Sequence, residues 1–360
     1  MKILAIETSC DDTGVAVLSA QGGPASGGEV NFEVLANIVT SQFEMGQKYG
    51  GVYPIMAKRE HEKNLQPTLE TALKQAKTSL ENIDLIAVTN GPGLEPCLWV
   101  GVNFAKNLSE KYNISLVPIN HIEGHILVNF LGNKNIKFPA IALVVSGGHT
   151  QIILVEKISK YKILGETRDD AAGECFDKCA KLLGLGYPGG QIISEYAKKS
   201  KPGIIKLPRP MINTKDYDFS FSGLKTAVLY ADRKISDKNL EYKEAMAAEV
   251  QQAIIDVLIK KTMKAVGDYK AKTLILGGGV SANAELRKQF QEAINNKNAN
   301  QVRFLPRGKK RTELNLIFPT SNLSTDNGLM IAIAGYFNRK KSARSDLAQL
   351  KADGNLRIGK

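Results

Sequence analysis

The sequence predicts an α/β protein built from two lobes around a cleft, and three observations support this prediction. The chain has 360 residues, whereas one domain typically holds about 100–200. Strand-like apolar runs alternate with helix-like stretches, which is typical of α/β folds. A similar hairpin pattern occurs near the N-terminus and again near residue 140, which indicates one hairpin at the start of each lobe.

Each predicted hairpin joins two strands through a polar turn. The strands are predicted at 3–7 and 15–18 in the first hairpin, and at 140–145 and 151–155 in the second. The turns, 8–14 and 146–150, consist largely of small polar residues and glycine. Such turns present backbone N–H groups to anions. Two of them facing each other could grip a nucleotide.

The rest of the chain alternates between the two element types. Helices are predicted at about 58–77, 98–112, 172–183, 242–266, 284–295 and 326–340, and further strands at 85–89 and 273–276. We expect Pro67 to interrupt the first of these helices. The strand at 273–276 leads into a glycine turn at 277–283 and then a helix. This order places helix N-terminal amides beside the turn and favours phosphate binding.

The charge balance is basic. Lys and Arg number 48 and Asp and Glu 36, so the formal net charge is +12, which favours a polyanionic partner such as nucleic acid. The densest basic cluster, 307–311, is predicted to be an exposed loop, either solvated or in contact with RNA.

Neither membrane insertion nor export is expected. No apolar run approaches the roughly 18 residues that span a bilayer, and the first residues lack a signal peptide pattern. We therefore expect a cytoplasmic protein whose four cysteines remain reduced. Cys175 and Cys179 could share a helix face, and we interpret them as small core residues.

His121 and His125 are the strongest chemical signal in the chain. They are four residues apart, so on a helix both imidazoles lie on one face and can bind one metal ion. The chain has only four histidines; the alternative is one surface and one core histidine. Asp326, near the predicted last helix, is a plausible third ligand, with helix N-capping as the alternative. Glu123 follows His121 by two positions rather than one and points away from it, which argues against zinc-protease chemistry.

Asp177 lies on the first turns of the helix predicted at 172–183, and a tight turn follows at 187–190. Carboxylates in this region could accept ribose hydroxyls, with helix capping as the alternative. The glycine turns are individually weak signals.

Six sequence blocks together resemble the universal tRNA threonylcarbamoyladenosine transferase family. They are, in family order, IETSCDDT (6–13), GPGL (91–94), HIEGH (121–125), VSGGHT (145–150), FSFSGLK (219–225) and GGVSAN (278–283). The resemblance spans nearly the whole chain. It implies the actin-like ATPase fold, with two ribonuclease-H-like lobes. We expect lobe I at 1–136 and about 326–345, lobe II at 137–325, and a C-terminal tail at 346–360.

The resemblance also implies an activity, which is transfer of a threonylcarbamoyl group from threonylcarbamoyl-AMP to N6 of adenosine 37 in tRNAs reading A-starting codons. By motif position, His121, His125 and Asp326 become ligands of one divalent metal ion, iron or alternatively zinc. The implied adenylate-binding residues are Val144, Val145, Ser146, Gly147, Gly148, Asp177, Gly190 and Asn283. The implied partners are tRNA and, in the bacterial arrangement, a degenerate paralogue and a small ATPase.

Some features depart from the family pattern or stay open. Residues at about 21–31 and 309–316 are predicted to be extra loops. No residue stands out as a general base. The alternative functions are a small-molecule kinase of the same superfamily, which the histidine pair argues against, and a non-catalytic scaffold of the same fold. An earlier description of such proteins as glycoproteases is the weakest alternative, because of the position of Glu123.

Overall fold

The computed structural model describes residues 1–22, 30–133, 136–303, 313–342 and 347–359. The strands are β1 (Lys2–Glu7), β2 (Asp12–Gly22), β3 (Val30–Ser41), β4 (Leu85–Gly91), β5 (Ser115–Asn120), β6 (Ala140–Val145), β7 (Thr150–Lys157), β8 (Lys160–Glu166), β9 (Thr273–Gly277) and β10 (Asn315–Ile317). The helices are α1 (Phe43–Tyr49), α2 (Pro54–Gln75), α3 (Glu95–Tyr112), α4 (His121–Leu127), α5 (Ala172–Leu182), α6 (Gly189–Ala197), α7 (Ser222–Arg233), α8 (Leu240–Asp268), α9 (Ala284–Arg303), α10 (Ser321–Ser324) and α11 (Gly328–Asn338).

The chain divides into two compact units. Unit 1 comprises Met1–Met45, Val52–Asn135 and Ser321–Lys360, and unit 2 comprises Gly46–Gly51 and Ile136–Thr320. The C-terminal residues thus belong to unit 1. Each unit contains one five-stranded sheet with helices packed against it.

The two sheets have the same connectivity. In unit 1 the strand order is β3-β2-β1-β4-β5, with β1, β2 and β3 antiparallel in succession and β1, β4 and β5 parallel. In unit 2 the order β8-β7-β6-β9-β10 repeats this arrangement strand for strand. The predicted α/β class and both predicted hairpins are therefore confirmed.

The central strands β1 and β6 are buried nearly throughout. They carry continuous apolar runs rather than an alternating pattern, because helices cover both faces of a sheet with parallel strands. In unit 1 the core contains Leu4 and Ile6 from β1 with Leu98 and Val102 from α3. In unit 2 residues of β6 pack with residues of α5 and α8.

Three element predictions are corrected. Pro67 lies inside α2 without interrupting it; the buried Leu65 and Leu69 hold the flanking turns in the core of unit 1, which offsets the lost backbone donor. The last helix begins at Gly328 rather than Asp326, because the side chain of Asn327 provides the N-cap. The strands β3, β5, β8 and β10 lie where no strand was predicted.

The two predicted extra loops are partly strand. Residues 21 and 22 end β2, and residues 30 and 31 begin β3; residues 23–29 lie outside the described residues. β3 is an edge strand with most positions partly exposed. Apolar and polar residues alternate only over 30–34, because the register with β2 shifts just beyond Val34, so the strand signal covers only part of β3. Residues 315 and 316 belong to β10, whereas 309–312 and the basic cluster 307–311 lie outside the described residues.

Candidate functional site

The histidine pair lies on α4, whose start is fixed by its N-cap. The Asn120 Oδ1 atom accepts hydrogen bonds from the backbone N–H of Ile122 at 2.9 Å and of Glu123 at 3.2 Å. Helical geometry from His121 onward then places His125 one turn later on the same face. The relative exposure is 4% for His121 and 0% for His125. The alternative of one surface and one core histidine is therefore wrong, because both are buried side by side.

Asp326 completes the cluster from the start of α11. A Cβ on Gly14 of β2 would lie only 2.7 Å from the backbone N of Gly328. Because both residues are glycines, the start of α11 can lie this close to β2. The Asp326 Oδ1 atom lies 3.1 Å from His125 Nε2 and 3.5 Å from His121 Nε2. The ligand atoms of the three side chains all lie within 4.8 Å of one another. Capping of α11 falls to Asn327, so the N-cap alternative for Asp326 is wrong.

The two imidazoles are electrostatically different. Burial disfavours a charge on His121, but the negative charges of Asp326 and Glu7 outweigh it and raise the pKa of His121 to about 9. For His125, burial prevails over the hydrogen bond that its ring donates to Asp326, and the pKa of His125 is lowered. The neighbouring carboxylates therefore favour the protonated form of His121, whereas burial favours the neutral form of His125.

Glu7 is a buried neighbour of this cluster that the sequence analysis did not single out. Its Oε2 atom lies 3.2 Å from His121 Nδ1 and accepts a hydrogen bond from Thr89 Oγ1 at 2.6 Å. Its Oε1 atom accepts from the backbone N–H of Ser9 at 2.5 Å. Burial works to raise the pKa of Glu7, but the adjacent His121 overrides this and lowers it. The sequence feature that could have identified Glu7 is its position as a charged residue at the end of an apolar strand.

Glu123 faces away from the metal-ligand atoms. Its Oε2 atom accepts a hydrogen bond from Asn338 Nδ2 on α11 at 2.9 Å. The side-chain direction expected from sequence is confirmed, and a protease mechanism with Glu123 as general base finds no support in this geometry.

The turn after β1 is fixed by a third buried histidine, which the sequence analysis did not single out. The His61 ring on α2 contacts Thr13 Oγ1 through Nδ1 at 2.8 Å and the carbonyl of Cys10 through Nε2 at 3.0 Å. Burial raises the pKa of Asp11, and raises that of Asp12 to about 7. This turn, 8–13, therefore concentrates carboxyl groups in a poorly solvated place.

The corresponding turn of unit 2 follows β6, whose last residues are Val144 and Val145. The backbone N–H of Ser146 donates to the carbonyl of His149 at 2.8 Å. Gly147 and Gly148 are exposed, and nothing lies within 4 Å of where their Cβ atoms would be. This turn is open backbone without carboxylates.

Two further segments of unit 2 approach this turn closely. The N–H of Gly173 on α5 donates to the carbonyl of Ser146 at 3.2 Å, and a Cβ there would lie 2.5 Å from that oxygen. Gly278 follows β9 with φ +82°, and its Cβ would lie 2.4 Å from the carbonyl of Val145. Only glycine suits these two contacts. They bring a helix N-terminus and a second turn beside Ser146.

Asp177 and Asn283 both bind the starts of helices. Asp177 Oδ1 accepts from the backbone N–H of Gly189 at 2.7 Å, one residue before Gly190 on α6. Asn283 Oδ1 accepts from the N–H of Leu286, and its Nδ2 donates to Gln251 Oε1 at 2.8 Å. The capping alternative for Asp177 is thus observed, and an adenylate-binding role for both residues stays a prediction.

The cysteine pair of α5 is a core feature. Cys175 and Cys179 are buried with their Sγ atoms 4.0 Å apart, and burial and their proximity raise the pKa of Cys175. All four cysteines are free thiols.

Comparison with known proteins decides the family. The family model described as tRNA N6-adenosine threonylcarbamoyltransferase matches residues 33–333. The chain belongs to this family. The resemblance seen in the six sequence blocks is therefore confirmed, and this membership disfavours the kinase alternative.

Curated relatives match over their full lengths. The chain is 44% identical to the tRNA N6-adenosine threonylcarbamoyltransferase of Thermosipho africanus, over 99% of this chain and 100% of that protein. It is 44% identical to the protein of the same name from Persephonella marina, over 100% and 96% of the two chains. The similarity therefore extends over nearly the whole of this chain and of both relatives.

A solved structure supports the fold class. Component A of (R)-2-hydroxyglutaryl-CoA dehydratase from Acidaminococcus fermentans matches with a TM-score of 0.51 and 14% identity, over 97% of this chain and 99% of that one. With the repeated sheet topology, this indicates the actin-like ATPase fold with two ribonuclease-H-like units. Among the described residues, no helix is long and apolar enough to cross a membrane.

Proposed function

We propose that the chain transfers the threonylcarbamoyl group from threonylcarbamoyl-AMP to N6 of adenosine 37 in tRNAs that read A-starting codons. One observation carries this proposal: His121, His125 and Asp326 converge in a chain that matches named transferases over their whole lengths. The net charge of +12 suits a polyanionic substrate. Because this substrate is tRNA, we place the protein in the cytoplasm.

The donor set of unit 1 fits a divalent transition metal. Two imidazole nitrogens and one carboxylate form a combination that suits iron(II) and zinc and leaves coordination positions open. We propose that His121, His125 and Asp326 hold one such ion, iron or alternatively zinc. When bound, the ion would act as a Lewis acid toward substrate oxygens.

Unit 2 supplies the features expected of an adenylate site. The turn after β6 leaves the backbone of Gly147 and Gly148 exposed beside the start of α5, an arrangement that suits a phosphate. We propose that the adenylate is held by Val144, Val145, Ser146, Gly147, Gly148, Asp177, Gly190 and Asn283. The carboxylate of Asp177 and the amide of Asn283 suit ribose hydroxyls and base edges.

The reaction forms one bond and breaks one. The N6 amine of adenosine bonds to the carbamoyl carbon, and the bond from that carbon to the phosphate oxygen of AMP breaks. One proton leaves N6 and passes to water or to the leaving phosphate. The residues of this chain bind and orient the two substrates, so proximity is their main contribution.

We also propose two protein partners, a degenerate paralogue and a small ATPase, as in the bacterial arrangement. A non-catalytic scaffold would not need to keep three ligand side chains converging on one place. The intact cluster therefore favours the enzyme over the scaffold.

The test is mass spectrometry of nucleosides from unmodified tRNA incubated with threonylcarbamoyl-AMP and the protein, with and without the two partners. We expect threonylcarbamoyladenosine in the wild-type reaction and an at least ~100-fold lower rate for His121→Ala. Glu123→Gln is the matched control on the same helix and should retain activity. No modified nucleoside with partners present, or full activity of His121→Ala, would overturn the proposal.

A further inference from the structure

Glu7 occupies a fully buried strand position of the kind that apolar residues usually fill. It ends β1, the central strand of unit 1, and its relative exposure is 0%. The topologically matching strand of unit 2, β6, ends with the buried Val145. A buried carboxylate is costly unless its oxygens are paired. Its presence in only one of two matching positions points to a task specific to unit 1.

Both oxygens of Glu7 are directed by hydrogen bonds. The backbone N–H of Ser9 donates to Oε1, and the hydroxyl of Thr89 on β4 donates to Oε2. These two donors fix the plane of the carboxylate from different segments of the chain. The Oε2 atom then lies 3.2 Å from Nδ1 of His121, a residue 114 positions away in sequence. Glu7 is thus held rigidly against the ring of a proposed metal ligand.

The chemistry of this contact determines which ring nitrogen is available. An ionised carboxylate only accepts hydrogen bonds, so it keeps a proton on Nδ1 of His121. The lone pair of the neutral ring then lies on Nε2, the atom that faces Asp326. A carboxylate on the distal nitrogen orients a ligating imidazole and increases its basicity.

We infer that Glu7 is a positioning residue of the metal centre, holding His121 with its Nε2 lone pair directed at the ion. The inference rests on the proposed metal centre in unit 1. The hydroxyl of Ser9, 3.1 Å from the same Nδ1, supports the ring as a neutral second partner. By contrast, Nδ1 of His125 has no hydrogen-bond partner within the part of the chain that the structure describes, so His121 is the ligand with directed support.

The test measures metal binding rather than catalysis. Metal-free protein is titrated with Co(II) in competition with a chelator, and the visible spectrum of the bound Co(II) is recorded. We expect Glu7→Gln to lower the affinity about 10- to 100-fold and to alter the Co(II) spectrum. An amide at this position must direct its N–H₂ either at Nδ1 of His121 or at the N–H of Ser9, so one of the two contacts is lost.

Two controls separate positioning from loss of charge. Glu123→Gln makes the same change in a buried carboxylate of α4 that is bonded to Asn338, and should leave affinity and spectrum unchanged. In a His121→Ala background, Glu7→Gln should change the residual affinity by less than about twofold, because its effect passes through the ring. An equal loss in that background would overturn the inference.

Thr89→Val keeps the proposal testable should Glu7→Gln not fold. This variant removes the donor to Glu7 Oε2 and retains the charge. It should weaken Co(II) binding by about two- to fivefold, and unchanged affinity would overturn the inference. If the wild-type protein binds no Co(II), the metal centre itself fails; if it binds and Glu7→Gln binds equally well, only the role of Glu7 fails.

Discussion

The turn after β1 and the turn after β6 occupy the same position in two sheets of identical connectivity, yet their chemistry is opposite. The first contains Asp11 and Asp12 and follows the buried Glu7. The second has exposed glycines, no carboxylate and a helix N-terminus beside it. One turn suits cations and the other suits anions. The difference shows that a repeated scaffold sets where a site lies, whereas the side chains at the strand ends set what it binds.

The same contrast extends to the helices that follow. In unit 1, α4 begins directly after β5 and carries His121 and His125 into the buried end of the sheet. In unit 2, the equivalent strand β10 is followed by no histidine pair, and the close glycine contacts lie instead beside the ends of β6 and β9. A divalent ion and an adenylate phosphate would thus be assigned to different units of one chain. The ion assignment and the phosphate assignment can therefore be tested separately.

Gly147→Val tests the proposed anion site in the turn after β6 and should have the largest effect on ligand affinity. The space around its Cβ is open, so the protein should fold normally while the new methyl groups occupy the proposed phosphate position. We expect AMP affinity, measured by calorimetry, to fall at least ~10-fold, or about 1.4 kcal/mol. Co(II) affinity should not change. Unaltered AMP binding would remove the turn after β6 from the adenylate site.

Asp12→Asn tests whether the Asp12 carboxyl has a raised pKa, by its effect on the free energy of unfolding. Burial raises the pKa of Asp12 to about 7, whereas the unfolded value is about 4. The folded protein therefore keeps a proton that the unfolded chain loses between about pH 4 and 7, so stability falls across this window and levels off above it. Asparagine has no such proton.

The advantage of Asp12→Asn over wild type in the free energy of unfolding should accordingly grow from pH 5 to pH 8, to on the order of a few kcal/mol. Urea unfolding of the metal-free proteins at several pH values measures this difference. A difference that stays constant over this range would show that Asp12 titrates as an ordinary exposed carboxyl.

Asn327→Ala tests how Asp326 is positioned at the proposed metal centre. It should have the smallest effect of the three variants on stability and ligand affinity. Its side chain accepts from the N–H of Met330 at 3.1 Å and donates to the carbonyl of Thr325 at 2.7 Å, flanking Asp326 on both sides. Loss of this cap should cost about 1 kcal/mol of stability, seen as a lower thermal midpoint. Co(II) affinity should fall only a few-fold, since the cap positions Asp326 without contacting the ion. A loss as large as that of a ligand variant would contradict this role.

Local patterns explain what could be predicted from sequence. The hairpins follow from apolar runs around polar turns, and the helical spacing of His121 and His125 is a property of five consecutive residues. Asp326 could not be ranked above other aspartates on residues alone, because it lies 201 positions from His125; the family resemblance selected it. Glu7 and His61 were missed for the same reason, since their partners come from distant segments.

The other structural features that the sequence did not predict were missed for different physical reasons. β3 alternates apolar and polar residues only as far as Val34, where its register with β2 shifts, so the pattern covers less than half of this partly exposed strand. Pro67 is tolerated in α2 because tertiary packing outweighs a local propensity. Sequence alone left Asp326 open between a metal ligand and an N-cap; in the structure Asn327 caps α11, and the Asp326 carboxylate faces both histidines.

The central claim is that His121, His125 and Asp326 bind one divalent ion, and anomalous scattering from crystals of the protein prepared with Fe(II) or Zn(II) tests it most directly. The account predicts one anomalous peak per chain, about 2.0–2.2 Å from Nε2 of both histidines and from a carboxylate oxygen of Asp326. The peak should be missing in His121→Ala. A wild-type map without density at this position, or a peak that persists in the variant at full height, would contradict the account.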